Sequence, residues 1–145
     1  MDKKIIICII AAILIICGIG YYVLSSNNNV GSSHVDIPEG FVVVKEYKDG
    51  FSMSDNKTNF TIKEDKSSLD KAVNNVFSKY KENDTVINDT MTVGDVSVKT
   101  MTLKNDENKT VHKYYIYSKN DKTFKLFEKG SENPTAVNDI ISSTN

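Results

Sequence analysis

Residues 67–80 read Ser-Ser-Leu-Asp-Lys-Ala-Val-Asn-Asn-Val-Phe-Ser-Lys-Tyr, and the folding of this stretch decides the fold class. Its apolar residues, Leu69, Ala72, Val73, Val76, Phe77 and Tyr80, recur at i, i+3, i+4, i+7, i+8 and i+11. That spacing draws one continuous stripe along a helix and fits no strand. Ser67, with Asp70 three residues on, resembles a capping box, and Lys71, Lys79 and Lys81 take the solvent side. The stretch is an amphipathic helix with one face to bury.

On both sides of this helix the chain reads as strands. Before it, Asp36-Ile-Pro-Glu-Gly40 is turn chemistry and Phe41 to Tyr47 is β-rich through Val42, Val43 and Val44. Asp49-Gly50 then signals a turn before Phe51-Ser-Met-Ser54, and Asn59 to Lys63 alternates Phe60 and Ile62 with Thr61 and Lys63. After the helix, Thr85 to Met91 is a strand, and Gly94-Asp95 turns into the alternating run Val96 to Leu103. Val111 to Ser118 and Thr123 to Lys129 flank Lys119-Asn-Asp-Lys122, whose Asn-Asp centre suits a tight hairpin. Asn133 before Pro134 is an N-cap followed by proline at the first helical position, and Ala136, Val137, Ile140 and Ile141 give that last helix an apolar face. Strands, helix, strands, helix is the order of an α+β domain, an antiparallel sheet with two packed helices.

The N-terminus is of another kind. Ile5 to Leu24 carries no charge, and twenty residues at about 1.5 Å rise span roughly 30 Å, the hydrocarbon thickness of a bilayer. A cleaved signal would have a shorter apolar stretch and a small-residue cleavage site. Ser25 and Ser26 instead follow the bulky Tyr21, Tyr22, Val23 and Leu24, and neither Cys8 nor Cys17 has the small residue before it that a lipoprotein signal needs. The run reads as a transmembrane signal anchor. Lys3 and Lys4 ahead of it put residues 1–4 in the cytoplasm, with residues 25–35 as a flexible linker and residues 36–145 as an extracytoplasmic domain. Both cysteines lie in the span, so the exported part has no disulfide.

The layout resembles the PsbP-like family. The residues that carry the likeness are Ile37-Pro-Glu-Gly-Phe41 at the opening, Gly50-Phe51 at the second strand, the Val93-Gly94 turn and the closing Asn138-Asp-Ile-Ile-Ser-Ser143. It is similar in particular to the short membrane-tethered PsbP-related proteins of methane-producing archaea. The resemblance implies a small α+β domain that helps to assemble or stabilise a membrane complex, and a related fold in nuclear transport binds a small GTPase. No catalytic motif comes with the family, so none is carried over to residues here.

Chemistry is thinly marked. The chain has no arginine, which removes the bidentate fork for phosphates and carboxylates. Setting aside Asp2, Lys3 and Lys4 from 18 basic and 19 acidic residues leaves 16 against 18, a balance that excludes a broad nucleic-acid-binding surface. His34 and His112 are too differently placed for a zinc pair, and without exported cysteine no thiolate site exists, so no metal or cofactor is expected. The oxygen-rich stretches Asp55 to Asn59 and Asn105 to Asn108 lack the alternation and glycine of a calcium loop and read as hairpin tips.

Asn-x-Ser/Thr sequons stand at Asn56, Asn59, Asn83, Asn88 and Asn108, a mild excess over the roughly two or three that composition gives by chance, and they are candidate glycosylation sites. Tyr114, Tyr115, Tyr117, Phe124 and Phe127 fall on both faces of their strands, one face for the core and the other for a core or a docking patch.

The functional expectation is a non-catalytic accessory or binding domain for a membrane or envelope protein, held to lipid through residues 5–24. A pilin-like surface subunit is the alternative. An enzyme would need carboxylates such as Asp49, Glu64 or Asp95 to converge in a cleft.

Overall fold

The computed structural model describes residues 28–80, 85–104 and 110–145. The expected span 5–24, with Cys8 and Cys17, lies outside them. Among the described residues no helix is long and apolar enough to cross a membrane.

Strands β1 (Asn29–Val30) and β2 (Ser33–His34) form a short hairpin. Strands β3 (Val42–Tyr47), β4 (Gly50–Ser54), β5 (Thr58–Asp65), β6 (Thr85–Val93), β7 (Val96–Lys104), β8 (Thr110–Lys119) and β9 (Lys122–Gly130) form a seven-stranded antiparallel sheet in the order β3-β4-β5-β9-β8-β7-β6. Helix α1 (Leu69–Lys79) joins β5 to the far edge at β6, and α2 (Pro134–Ser143) follows β9. The architecture is the expected α+β one, and its turns obey local chemistry. Gly94 (φ 57°) supplies the left-handed residue between β6 and β7, and Asn120 and Asp121 (φ 53° and 62°) do so between β8 and β9.

Each face of the sheet carries one helix, and they cover it to different extents. On one face Phe51, Met53, Phe60, Ile62, Val98, Tyr115, Tyr117, Phe124 and Leu126 meet Ala136, Val137, Ile140 and Ile141 of α2. On the other, Ala72 and Val76 of α1 pack on Met101 and Ile116, with Tyr80 and Tyr114 at the rim. Their hydroxyls are 2.9 Å apart.

Local capping fixes both helices. The Ser68 hydroxyl accepts from the Lys71 N–H, so the cap is Ser68 and not Ser67; Ser67 instead donates its backbone N–H to the Asp65 carboxylate, 2.8 Å away. Phe77, read as part of the buried stripe, is 37% exposed because the sheet beneath α1 meets only the Ala72–Val76 side. Asn133 caps α2 as expected, accepting from Ala136 N–H at 3.1 Å. The Thr144 hydroxyl closes its other end on the Ile140 carbonyl (2.8 Å) and accepts the buried Tyr117 hydroxyl, also at 2.8 Å.

The flexible linker expected over residues 25–35 is folded from residue 28 onward. Val30 and Val35 are fully buried in the α2-face core. The His34 backbone exchanges hydrogen bonds with Asn145 at 3.3 and 3.0 Å, and Val35 N–H donates to Asn28 O. The turn at Gly31 (φ 62°) lies so close to the Glu64 carboxylate that a Cβ there would overlap it. Two buried valines and a borrowed backbone ladder order a segment whose composition is that of a tether.

Candidate binding surface

The carboxylates on which an enzyme would depend are only partly brought together. Asp49 and Glu64 share a cleft of about 590 Å³ with Gly31, Ser32, Lys48 and Lys66. Glu64 accepts the Ser32 N–H at 3.3 Å, and its own N–H donates to Asp49 O at 3.0 Å. Glu64 thus holds the β1–β2 turn against the sheet. Asp95 is at the β6–β7 turn, three strands away from β5.

The more distinctive surface is the α1 face where α1 does not reach. The helix packs on β8 and β9. Beside it, Lys45 and Tyr47 of β3, Ser52 of β4, Thr61 and Lys63 of β5, and Lys125 and Phe127 of β9 share one face by strand alternation and register. A bulge at Val44 sets this up by turning Lys45 onto the same side as Ser52. Lys63 Nζ lies 4.3 Å and Lys45 Nζ 5.0 Å from the Tyr47 ring centroid. The Ser52 hydroxyl, then the charges of Lys45 and Lys63, hold the Tyr47 phenol below its usual range.

Next to this lattice a groove of about 220 Å³ runs between the sheet and the C-terminal end of α1, lined by Thr61, Lys63, Lys79, Tyr114, Lys125 and Phe127. Phe127 and Tyr114 rings stand 4.8 Å apart in a tilted pair. Lys125 is bound to Asp65 at 3.1 Å. Burial works against the Asp65 carboxylate, but the Ser67 N–H and the Lys125 ammonium outweigh it and keep its pKa low. Burial, reinforced by the bond to Tyr80, pushes the Tyr114 hydroxyl up, so it stays protonated.

The aromatic cluster read from sequence therefore divides. Tyr115, Tyr117 and Phe124 are buried in the core, while Tyr114 and Phe127 are half-buried on the groove side. His112 is a sheet residue of β8, half-buried with its ring 5.2 Å from Phe127. His34 stands in β2 beside Asp36, 3.5 Å away.

Among the sequons, Asn56, Asn59 and Asn88 are exposed, and Asn83 and Asn108 lie outside the described residues. Asn56 adopts φ 74° in the β4–β5 turn, where the Asp55 carboxylate accepts Lys57 N–H (2.9 Å) and Thr58 N–H (2.7 Å). Those backbone donors lower the Asp55 pKa and tie the carboxylate to the turn. Thr58 of the same sequon is buried, donating to Ser131 O at 2.6 Å.

One buried acid was not singled out from sequence. Glu128 is 2% exposed on the α2 face, accepting Tyr115 O–H and Asn133 N–H at 3.0 Å each. Burial raises its pKa, against the pull of those two donors. The only sequence signal is its place in the inward phase of Phe124, Leu126 and Glu128.

No family model matches the chain. No curated protein matches it either. Among solved structures, it is similar to one described as "Crystal structure of LpqN involved in cell envelope biogenesis of Mycobacterium tuberculosis", with 13% identity, a TM-score of 0.47, and coverage of 88% of this chain and 95% of that one.

Proposed function

We propose that this chain is a membrane-anchored, extracytoplasmic binding module that supports a membrane or envelope protein assembly without catalysing a reaction. The observation that carries the reading is the uncovered half of the α1 face, where Lys45, Tyr47, Lys63, Lys125 and Phe127 gather on one side of the sheet. A face of strands with cationic and aromatic side chains is suited to contact, and Lys45, Lys63, Lys79 and Lys125 against Asp65 give it a sign opposite to the chain's net charge of −1. The apolar run Ile5 to Leu24 supplies the anchor.

The test is gentle detergent extraction of tagged full-length protein from its native membrane, followed by identification of stoichiometric companions. One consistent partner, lost in the Lys45→Glu/Lys63→Glu variant, supports the reading. A partner retained by that variant, or none at all, overturns it.

A further inference from the structure

We propose that the groove between α1 and the β5–β9–β8 sheet binds a small organic anion built on a single planar ring. The inference deepens the binding-module reading and rests on it.

Two independent features of the groove meet in this chemistry. Its apolar wall is the half-buried Phe127–Tyr114 pair, whose rings also meet His112 and Tyr80 and line the groove with what they leave uncovered, the part a planar ligand ring would pack against. Its cationic wall is Lys63, Lys79 and Lys125. Lys125 is already tied to Asp65 and Lys63 lies over the Tyr47 ring, but neither Lys63 nor Lys79 forms an ion pair with a described carboxylate. Lys79 also ends α1, where the helix C-terminus favours a cation. At about 220 Å³ the groove is smaller than the usual drug-sized pocket, so one ring with its acidic group is the most it would enclose. The ammonium donors are point charges without fork geometry, so they accept carboxylate and phosphate alike. Thr61 is engaged by Ser52 at 2.7 Å and completes a polar floor between the lysines.

The groove also faces away from the point where the chain leaves the domain toward the apolar run. The β1–β2 hairpin packs on the α2 face through Val30 and Val35. A ligand at the groove therefore arrives from solution or from a partner, on the opposite side of the sheet.

The experiment titrates the ¹⁵N-labelled full chain, in nonionic detergent, with phenyl phosphate, inorganic phosphate and benzyl alcohol. Phenyl phosphate is expected to shift the amides of Thr61, Lys63, Lys125 and Phe127 saturably. Inorganic phosphate and benzyl alcohol should each bind about tenfold more weakly, since each lacks one of the two contacts. Lys63→Gln/Lys79→Gln should weaken phenyl phosphate about tenfold with an unchanged urea midpoint, and Phe127→Leu should abolish its advantage over inorganic phosphate while lowering the midpoint modestly through the lost ring pairs with Tyr114 and His112. Equal binding of inorganic phosphate would reduce the groove to a charge patch and overturn the proposal. So would equal binding of benzyl alcohol, shifts centred on the Asp49–Glu64 cleft, or unaltered affinity in the lysine variant. A failed titration with a retained co-purifying partner would sink the groove alone, and the converse would sink the assembly role alone.

Discussion

Replacing Glu128 with leucine tests whether this one buried acid ties the sheet to α2. Its two oxygens accept the Tyr115 hydroxyl and the Asn133 N–H, and Asn133 is itself the residue that caps the helix. Leucine is close in volume and leaves both donors without a partner. A buried orphaned donor costs roughly 1–3 kcal/mol. Asn133 is half-buried and recovers part of its bond from water, and loss of the desolvated carboxylate offsets more. The net expectation is about 2 kcal/mol, or roughly 8 °C in melting temperature for a domain of this size. Urea titration followed by near-UV ellipticity reads it, since the chain has seven tyrosines and no tryptophan. The sign with pH is a second, separate check. Burial raises the folded pKa of Glu128, so the protonated acid favours folding. That contribution is complete below the ordinary glutamate range and is lost as pH rises through the raised value. Wild type should therefore lose stability relative to Glu128→Gln as pH climbs above about 4.3, glutamine having no proton to lose. A leucine variant as stable as wild type, or a wild-type-to-glutamine difference that is flat or opposite in sign, would refute the reasoning.

Three further outcomes follow from the packing and the surface. Phe60→Ala should cost about 3–5 kcal/mol in the same urea assay, because Phe60 is fully buried with its ring 5.4 Å from that of Phe41. Tyr117→Phe should cost about 1 kcal/mol by deleting the 2.8 Å bond to Thr144, and hydrogen exchange should quicken at the neighbouring His34 and Asn145 amides. If the host glycosylates exported proteins, mass spectrometry should find glycan at the exposed Asn59 or Asn88 in preference to Asn56, whose Thr58 hydroxyl is buried and bonded; unmodified peptides at all five sequons would end the glycosylation expectation.

Much of the fold is legible because its signals are local. The stripe from Leu69 to Val76 has the period of a helix wherever it is placed, and Asn133-Pro134 starts α2 by backbone chemistry alone. Gly94 and the Asn120-Asp121 pair mark their turns because few other residues tolerate positive φ. The β1–β2 hairpin was not legible. Its two valines are isolated in polar sequence, and their value comes from the α2 face and the C-terminal Asn145, more than a hundred residues away. The cap at Ser68, not Ser67, is a one-residue shift that the sequence leaves open between adjacent serines. The groove was half legible. Alternation puts Lys63 opposite in phase to Ile62 and Phe127 opposite to Leu126, but only the long-range β5–β9 pairing sets Thr61 beside Phe127 and Lys63 beside Lys125.

That same pairing decides how the proposed anchor and the binding surface relate. On the proposal that Ile5 to Leu24 spans the membrane, only Ser25, Ser26 and Asn27 separate it from the first described residue. Four Cα steps reach at most about 14 Å, so the domain would be held close to the bilayer surface. The attachment lies on the hairpin side, with the α2 face, and the cationic half-sheet lies across the full thickness of the sheet from it. With the α2 face turned to the bilayer, headgroups would have poor access to Lys45, Lys63 and Lys125, while the side and far surroundings would have good access. Anionic lipid is thus the weaker account of these lysines, and a protein or small molecule reaching the domain from outside the bilayer is the stronger one. Lengthening the three-residue connection with a Gly-Ser insert separates the two accounts. A lipid-binding face would gain access and bind anionic vesicles more tightly, whereas a face turned to an external partner would keep its partner affinity and gain no vesicle binding.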